Sequence, residues 1–165
     1  MRVEQWMTAY PLTVKPCDSV AQARALLREH RINQLPVAVN GRLAGIVTDR
    51  DLRDVMSGRA ADAKASGDKL KQTDPPEDLP IEAVMTANVI TVQPYDTMER
   101  ATVLMRRERI GSLPVVYRGE LRGIVTRTDV LRAYLALASY SRKAGINDPR
   151  QGPHLKPEAA HYAHR

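Results

Sequence analysis

The segment from Met7 to Leu52 recurs from Met85 to Val130 at a constant offset of 78 residues, without a gap, and 22 of the 46 paired positions are identical. Met7-Thr8-Ala9 returns as Met85-Thr86-Ala87, and Thr13-Val14-x-Pro16 as Thr91-Val92-x-Pro94. Leu35-Pro36-Val37 returns as Leu113-Pro114-Val115, and Gly45-Ile46-Val47-Thr48-x-x-Asp51 as Gly123-Ile124-Val125-Thr126-x-x-Asp129. A unit this short buries too little apolar surface to stand alone, so two copies imply halves that fold against each other with pseudo-two-fold symmetry.

Each copy spells the same order of elements. A short extended piece (Leu12–Val14, Ile90–Val92) ends at Pro16 or Pro94. A helix follows, with Asp18 or Ser19 and Asp96 or Thr97 as caps. Val20, Ala23, Leu26 and Leu27 keep a helical period, as do Met98, Ala101, Leu104 and Met105. Leu35–Val39 and Leu43–Val47 flank Asn40-Gly41, and Leu113–Tyr117 and Leu121–Val125 flank Arg118-Gly119, which predicts two hairpins. A second helix starts at Thr48 or Thr126. In copy two it extends over Asp129–Lys143, with Val130, Leu131, Tyr134, Leu135 and Ala138 on one face, and stops near Gly145. The expected class is α/β, two β-α-β-β-α repeats. The expected division is 1–56 for repeat 1, 57–80 for a Pro- and charge-rich flexible linker, 81–145 for repeat 2 and 146–165 for a disordered tail.

Composition limits what such a fold can be. The chain has no Phe and one Trp, so its core must be aliphatic. No apolar run approaches the roughly 20 residues of a membrane span, and Arg2-Val3-Glu4-Gln5 does not resemble a signal segment. Cys17 is alone, so no intrachain disulfide forms and nothing argues for export. The cytoplasm is the expected location. Of the net charge of +6, the tail Arg142–Arg165 carries +3, five Lys/Arg against two acids. The stretch Arg106–Arg132 carries +4, seven Arg against three acids. Arg suits forked contacts to phosphate. No aromatic stacking platform or recognition helix accompanies it, so a solvated basic surface is preferred to nucleic-acid binding.

The duplicated order, with Leu-Pro-Val and Gly-Ile-Val-Thr-x-x-Asp at these places, resembles a tandem pair of cystathionine-β-synthase (CBS) domains, the Bateman module, over about residues 4–140. The motifs are specific as a set. The resemblance implies a stand-alone bacterial-type sensor of adenosine-containing ligands such as AMP, ATP or S-adenosylmethionine, signalling to a separate target protein not named by the sequence. It also implies a homodimer, a flat disc joined through helices, in which Leu131, Tyr134 and Leu135 serve the contact or else pack in the core. The alternative is a ligand-independent scaffold for dimerisation or docking.

Thr-x-x-Asp has a purely structural reading as a capping box. A helix start also offers N–H groups and partial positive charge to an anion, and an Asp there suits a ribose diol. In the family the matching Asp takes the ribose hydroxyls, with the Thr near ribose or phosphate. The resemblance joins Thr126 and Asp129 to Thr8, Leu12, Thr13, Ile32 and Asn33, and Thr48 and Asp51 to Thr86, Ile90, Thr91, Ile110 and Gly111. Ile32 and Ile110 are equally readable as core, and Thr13 and Thr91 as strand formers. Arg50 and Arg127 are candidates for phosphate, with Arg31 and Arg109 at equivalent positions. Copy two is richer in Arg, and Gly111-Ser112 leave more room than Asn33-Gln34, so unequal sites are expected.

Other constellations are weak. His154 with His161-x-x-His164 lacks a companion ligand, so no metal site is expected. Cys17 precedes a helix without a base partner. No Walker loop, nucleophile elbow or dinucleotide fingerprint occurs, so neither catalysis nor a required cofactor is expected.

Overall fold

The computed structural model describes residues 1–56 and 79–143. The linker expected over 57–80 lies outside the described residues except for its last two positions. The tail expected over 146–165, with its three histidines, lies wholly outside them, as does the helix stop near Gly145.

In chain order the elements are a 3-10 turn at Val3–Gln5, β1 (Thr8–Ala9), α1 (Val20–Glu29), β2 (Gln34–Val39), β3 (Arg42–Thr48), α2 (Asp49–Met56), a 3-10 turn at Ile81–Ala83, α3 (Met98–Arg107), β4 (Ser112–Tyr117), β5 (Glu120–Thr126) and α4 (Arg127–Lys143). The α/β repeat architecture is therefore present twice. Ser19 caps α1 in a box with Gln22: its hydroxyl accepts from Gln22 N at 3.1 Å, and the Gln22 amide oxygen accepts from Ser19 N at 3.0 Å. Thr97 caps α3, accepting from Arg100 N at 3.1 Å. The buried faces are Val20, Ala23 and Leu27 in α1 and Met98, Ala101 and Met105 in α3, on the expected helical period.

Both hairpins form with matching registers, Gln34↔Thr48 and Ser112↔Thr126 at their open ends. Asn40-Gly41 and Arg118-Gly119 all take positive φ, as two-residue hairpin turns of this hand require. Each hairpin carries an irregularity, at Val37/Ala38 and Val115/Val116. A bulge bends the strand that carries it. The extended pieces expected at Leu12–Val14 and Ile90–Val92 form single parallel bridges, Val14↔Val37 and Val92↔Val115.

The two cores are completed crosswise. Val3, which leads into copy one, is buried with Val92, Met98, Ala101, Leu113 and Val125 of copy two. Ile81, which leads into copy two, is buried with Val14, Val20, Leu27, Leu35 and Leu52 of copy one. Main-chain bonds fix both exchanges: Val3 N donates to Asp96 O at 2.9 Å and Met98 N to Met1 O at 3.0 Å, while Ile81 N donates to Asp18 O at 2.9 Å and Val20 N to Leu79 O at 2.8 Å. After each leading segment the chain crosses again. β1 pairs with β5 at Thr8↔Ile124, and Thr86 bridges Ile46 of β3.

Gly123 and Gly45 make that crossing possible. A Cβ on Gly123 would stand 2.9 Å from Thr8 O and 2.5 Å from Met7 Sδ; one on Gly45 would stand 2.9 Å from Thr86 O and 2.7 Å from Met85 Sδ. Among the described residues nothing covers the outer face of α4. Ala133 is buried, whereas Leu131, Tyr134 and Leu135 are 62%, 64% and 59% exposed, so those three do not pack in the described core.

Candidate functional site

Thr48 and Thr126 end the return strands and begin the second helices, so each sits where two elements change direction. Asp129 Oδ2 accepts from Thr126 N at 2.9 Å and from its hydroxyl at 2.8 Å, and Asp129 N donates to Thr126 Oγ1 at 3.3 Å. Asp51 repeats this with Thr48 at 2.8, 2.7 and 3.3 Å. Both are capping boxes built on Asp, as the structural reading anticipated. All these bonds to the carboxylates fall on Oδ2. Asp129 Oδ1 meets Arg132 Nη1 at 3.4 Å, and Asp129 is only 5% exposed. Asp51 is half-buried, and Asp54 occupies the place of Arg132.

Around Thr126 and Asp129 the structure gathers four expected residues. Thr8 arrives from copy one, opposite Ile124 on the same strand as Thr126. Gly111 O accepts from Arg127 N at 3.1 Å, and Ile110 O accepts from Arg127 Nε at 3.2 Å. Around Thr48 and Asp51 it gathers Thr86, through Ile46, and Asn33, whose O accepts from Asp49 N at 2.9 Å. Ile32 lies beside Asn33, half-buried against the copy-one core. Ile32-Asn33 and Ile110-Gly111 are thus bonded first within their own copies, because the start of an inner strand must pair with the end of its own return strand. The two starts still approach each other: a Cβ on Gly111 would lie 4.0 Å from Gln34 Oε1.

The remaining expected residues lie further out. Leu12, Ile90 and Thr91 are exposed. Thr13 lines a crevice of about 360 Å³ with Tyr10, Lys15, Asp18, Asn40 and Leu121, at the hairpin turn rather than beside Thr126. Arg50 is 85% exposed and 3.8 Å from Asp54, its charge already opposed. Arg127 also lines a second crevice, about 520 Å³, with Arg106, Arg109, Met105, Val130 and Leu131 between α3 and α4. Arg31 and Arg109 both take left-handed φ just after their helices. The sequence reading missed Arg132 and Asp49. The first was visible as an i+3 neighbour of Asp129, and the second as the residue standing opposite Arg127 in the repeat.

Among the described residues no three metal-binding side chains cluster, and no helix is long and apolar enough to cross a membrane.

Comparison with known proteins gives a consistent result. A family model described as CBS domain matches residues 3–58 and 81–136. The CBS domain-containing protein YhcV of Bacillus subtilis is 32% identical over 130 residues, covering 78% of this chain and 81% of that protein. An inosine-5′-monophosphate dehydrogenase of Korarchaeum cryptofilum is 39% identical over 130 residues, and the chain spans only 23% of its length. Among solved structures, CBSX2 in complex with AMP superposes with a TM-score of 0.66 at 31% identity, covering 83% of this chain and 98% of that one. The CBS domain pair of protein MJ0100, in complex with 5′-methylthioadenosine and S-adenosyl-L-methionine, gives 0.66 at 27% identity, with 83% and 98% covered.

Proposed function

Because this chain belongs to the CBS-domain family and carries the domain twice, we propose that it is a regulatory module that binds an adenosine compound at the seam between its copies and signals to a partner protein. The observation that carries this is the Asp129 carboxylate. It is almost fully buried at a helix start, its cap bonds use Oδ2 alone, and its capping partner Thr126 stands two residues from the strand position where copy one crosses over. Such a carboxylate can accept both hydroxyls of a ribose while the adjacent main-chain groups hold the rest of the nucleoside. The ligands named for two similar structures, AMP in one and 5′-methylthioadenosine with S-adenosylmethionine in the other, support the class. A ligand of this kind acts only through unequal affinity for two shapes of the protein. The crossed leading segments supply a means, since any shift at the seam moves both cores.

Isothermal titration with AMP, ATP and S-adenosylmethionine tests the proposal. Saturable heat for at least one compound, reduced in Asp129→Asn, is the expected result. Absence of heat for all three would leave the second reading, a ligand-independent scaffold. That reading has its own support in the uncovered apolar face of α4. We assign this face to a homodimer contact, which either reading accommodates.

A further inference from the structure

The two capping boxes share their backbone geometry and differ in charge. Arg127 stands where copy one has Asp49, Arg132 where it has Asp54, Leu131 where it has Arg53 and Thr128 where it has Arg50. Counted over these positions with the box acids, copy one carries three Asp against two Arg, net −1, and copy two carries two Arg against one Asp, net +1. The cations of copy one are also held by neighbours: Arg53 lies 2.9 Å from Asp49, and Arg50 lies 3.8 Å from Asp54. In copy two, Arg127 makes no ion pair among the described residues; its Nε is used on a main-chain carbonyl, Ile110 O. Among the described residues Arg132 pairs with Asp129.

Building on the adenosine reading above, we propose that the two mouths sort adenosine compounds by the charge on the 5′ carbon. The Asp129 mouth takes a 5′-phosphorylated adenosine. The Asp51 mouth takes an adenosine whose 5′ substituent is a cationic sulfonium, as in S-adenosylmethionine. A phosphate near −2 meets fields that differ by two unit charges. At the dielectric of water over about 10 Å, this separates the two affinities by about tenfold at low salt and by about two- to threefold at physiological salt. A sulfonium reverses the sign of the preference.

The test is titration of the full chain with AMP and with S-adenosylmethionine at low ionic strength. AMP is expected to bind once per chain, to be lost in Asp129→Asn and to be retained in Asp51→Asn. S-adenosylmethionine is expected to survive Asp129→Asn and to be lost in Asp51→Asn. Arg132→Glu leaves the cap bonds intact and is expected to weaken AMP about tenfold at low salt without weakening S-adenosylmethionine, which keeps the test valid should either Asn variant fail to fold. Asp49→Arg combined with Asp54→Arg should bring AMP to two per chain. Two equal AMP sites in the unaltered protein, or AMP lost in Asp51→Asn alone, would overturn charge sorting and leave adenosine binding standing. No binding of either compound would overturn adenosine binding itself, and charge sorting with it.

Discussion

A single carboxylate at position 129, in the first turn of α4, caps the helix by accepting from Thr126, the last residue of β5. Thr126→Val removes the hydroxyl that donates to Asp129 Oδ2 and accepts from Asp129 N. Loss of such a cap costs about 1 kcal/mol, so urea unfolding should shift by that amount. Heat from an adenosine ligand should fall less than in Asp129→Asn, because the carboxylate remains. Gly123 is the other decisive residue at this scale. An added Cβ would press on Thr8 O, a main-chain atom that cannot rotate away. Gly123→Ala should therefore cost about 1–3 kcal/mol, as overpacking does, with the loss read as a lower urea midpoint. The sequence displayed Gly45 and Gly123 as part of a repeated motif but could not reveal their reason, because that depends on how near a segment more than a hundred residues away in one case comes to rest. Thr-x-x-Asp was fully legible as a cap, since a cap is local.

Among the elements, α4 departs most from its counterpart. It runs for 17 residues against 8 for α2 within the described chain, and Leu131, Tyr134 and Leu135 have no cover. The periodicity marked these residues as one face, yet periodicity cannot say whether a face meets the chain's own core or another surface. Exposure decides it. Leu131→Glu with Leu135→Glu should convert a dimer into a monomer in light scattering at micromolar concentration, with little change in melting temperature at the same protomer concentration beyond the loss of mass-action stabilisation. A monomer for the unaltered chain would remove the dimer assignment. The hairpins show the opposite balance. Asn40-Gly41 announced its turn, whereas Arg118-Gly119 did so only by analogy with the first copy. Arg118 holds φ 52° with its guanidinium 5.3 Å from the Tyr117 ring centre, and that ring packs edge-on against Tyr95 at 5.6 Å.

At the level of the whole molecule, the duplication made the architecture readable and concealed how it is assembled. Repeat boundaries drawn by self-similarity start at Met7 and Met85, and the residues just before them, Val3 and Ile81, match each other in burial while sitting in opposite cores. No periodicity within a copy could expose an exchange between copies. Ile81→Ala should cost about 2–5 kcal/mol, the range for a fully buried Ile, and should loosen copy one although it lies at the edge of copy two. Hydrogen exchange that rises in α1 and β2 rather than in α3 and β4 would confirm the direction. This reciprocal clasp should hold the two copies together without the peptide connection between residues 56 and 79. A protease cut anywhere in that interval should yield two fragments that migrate together on a native gel and come apart only in denaturant. Equally, the fragments made separately should find each other on mixing, each supplying the plug that the other's interior lacks.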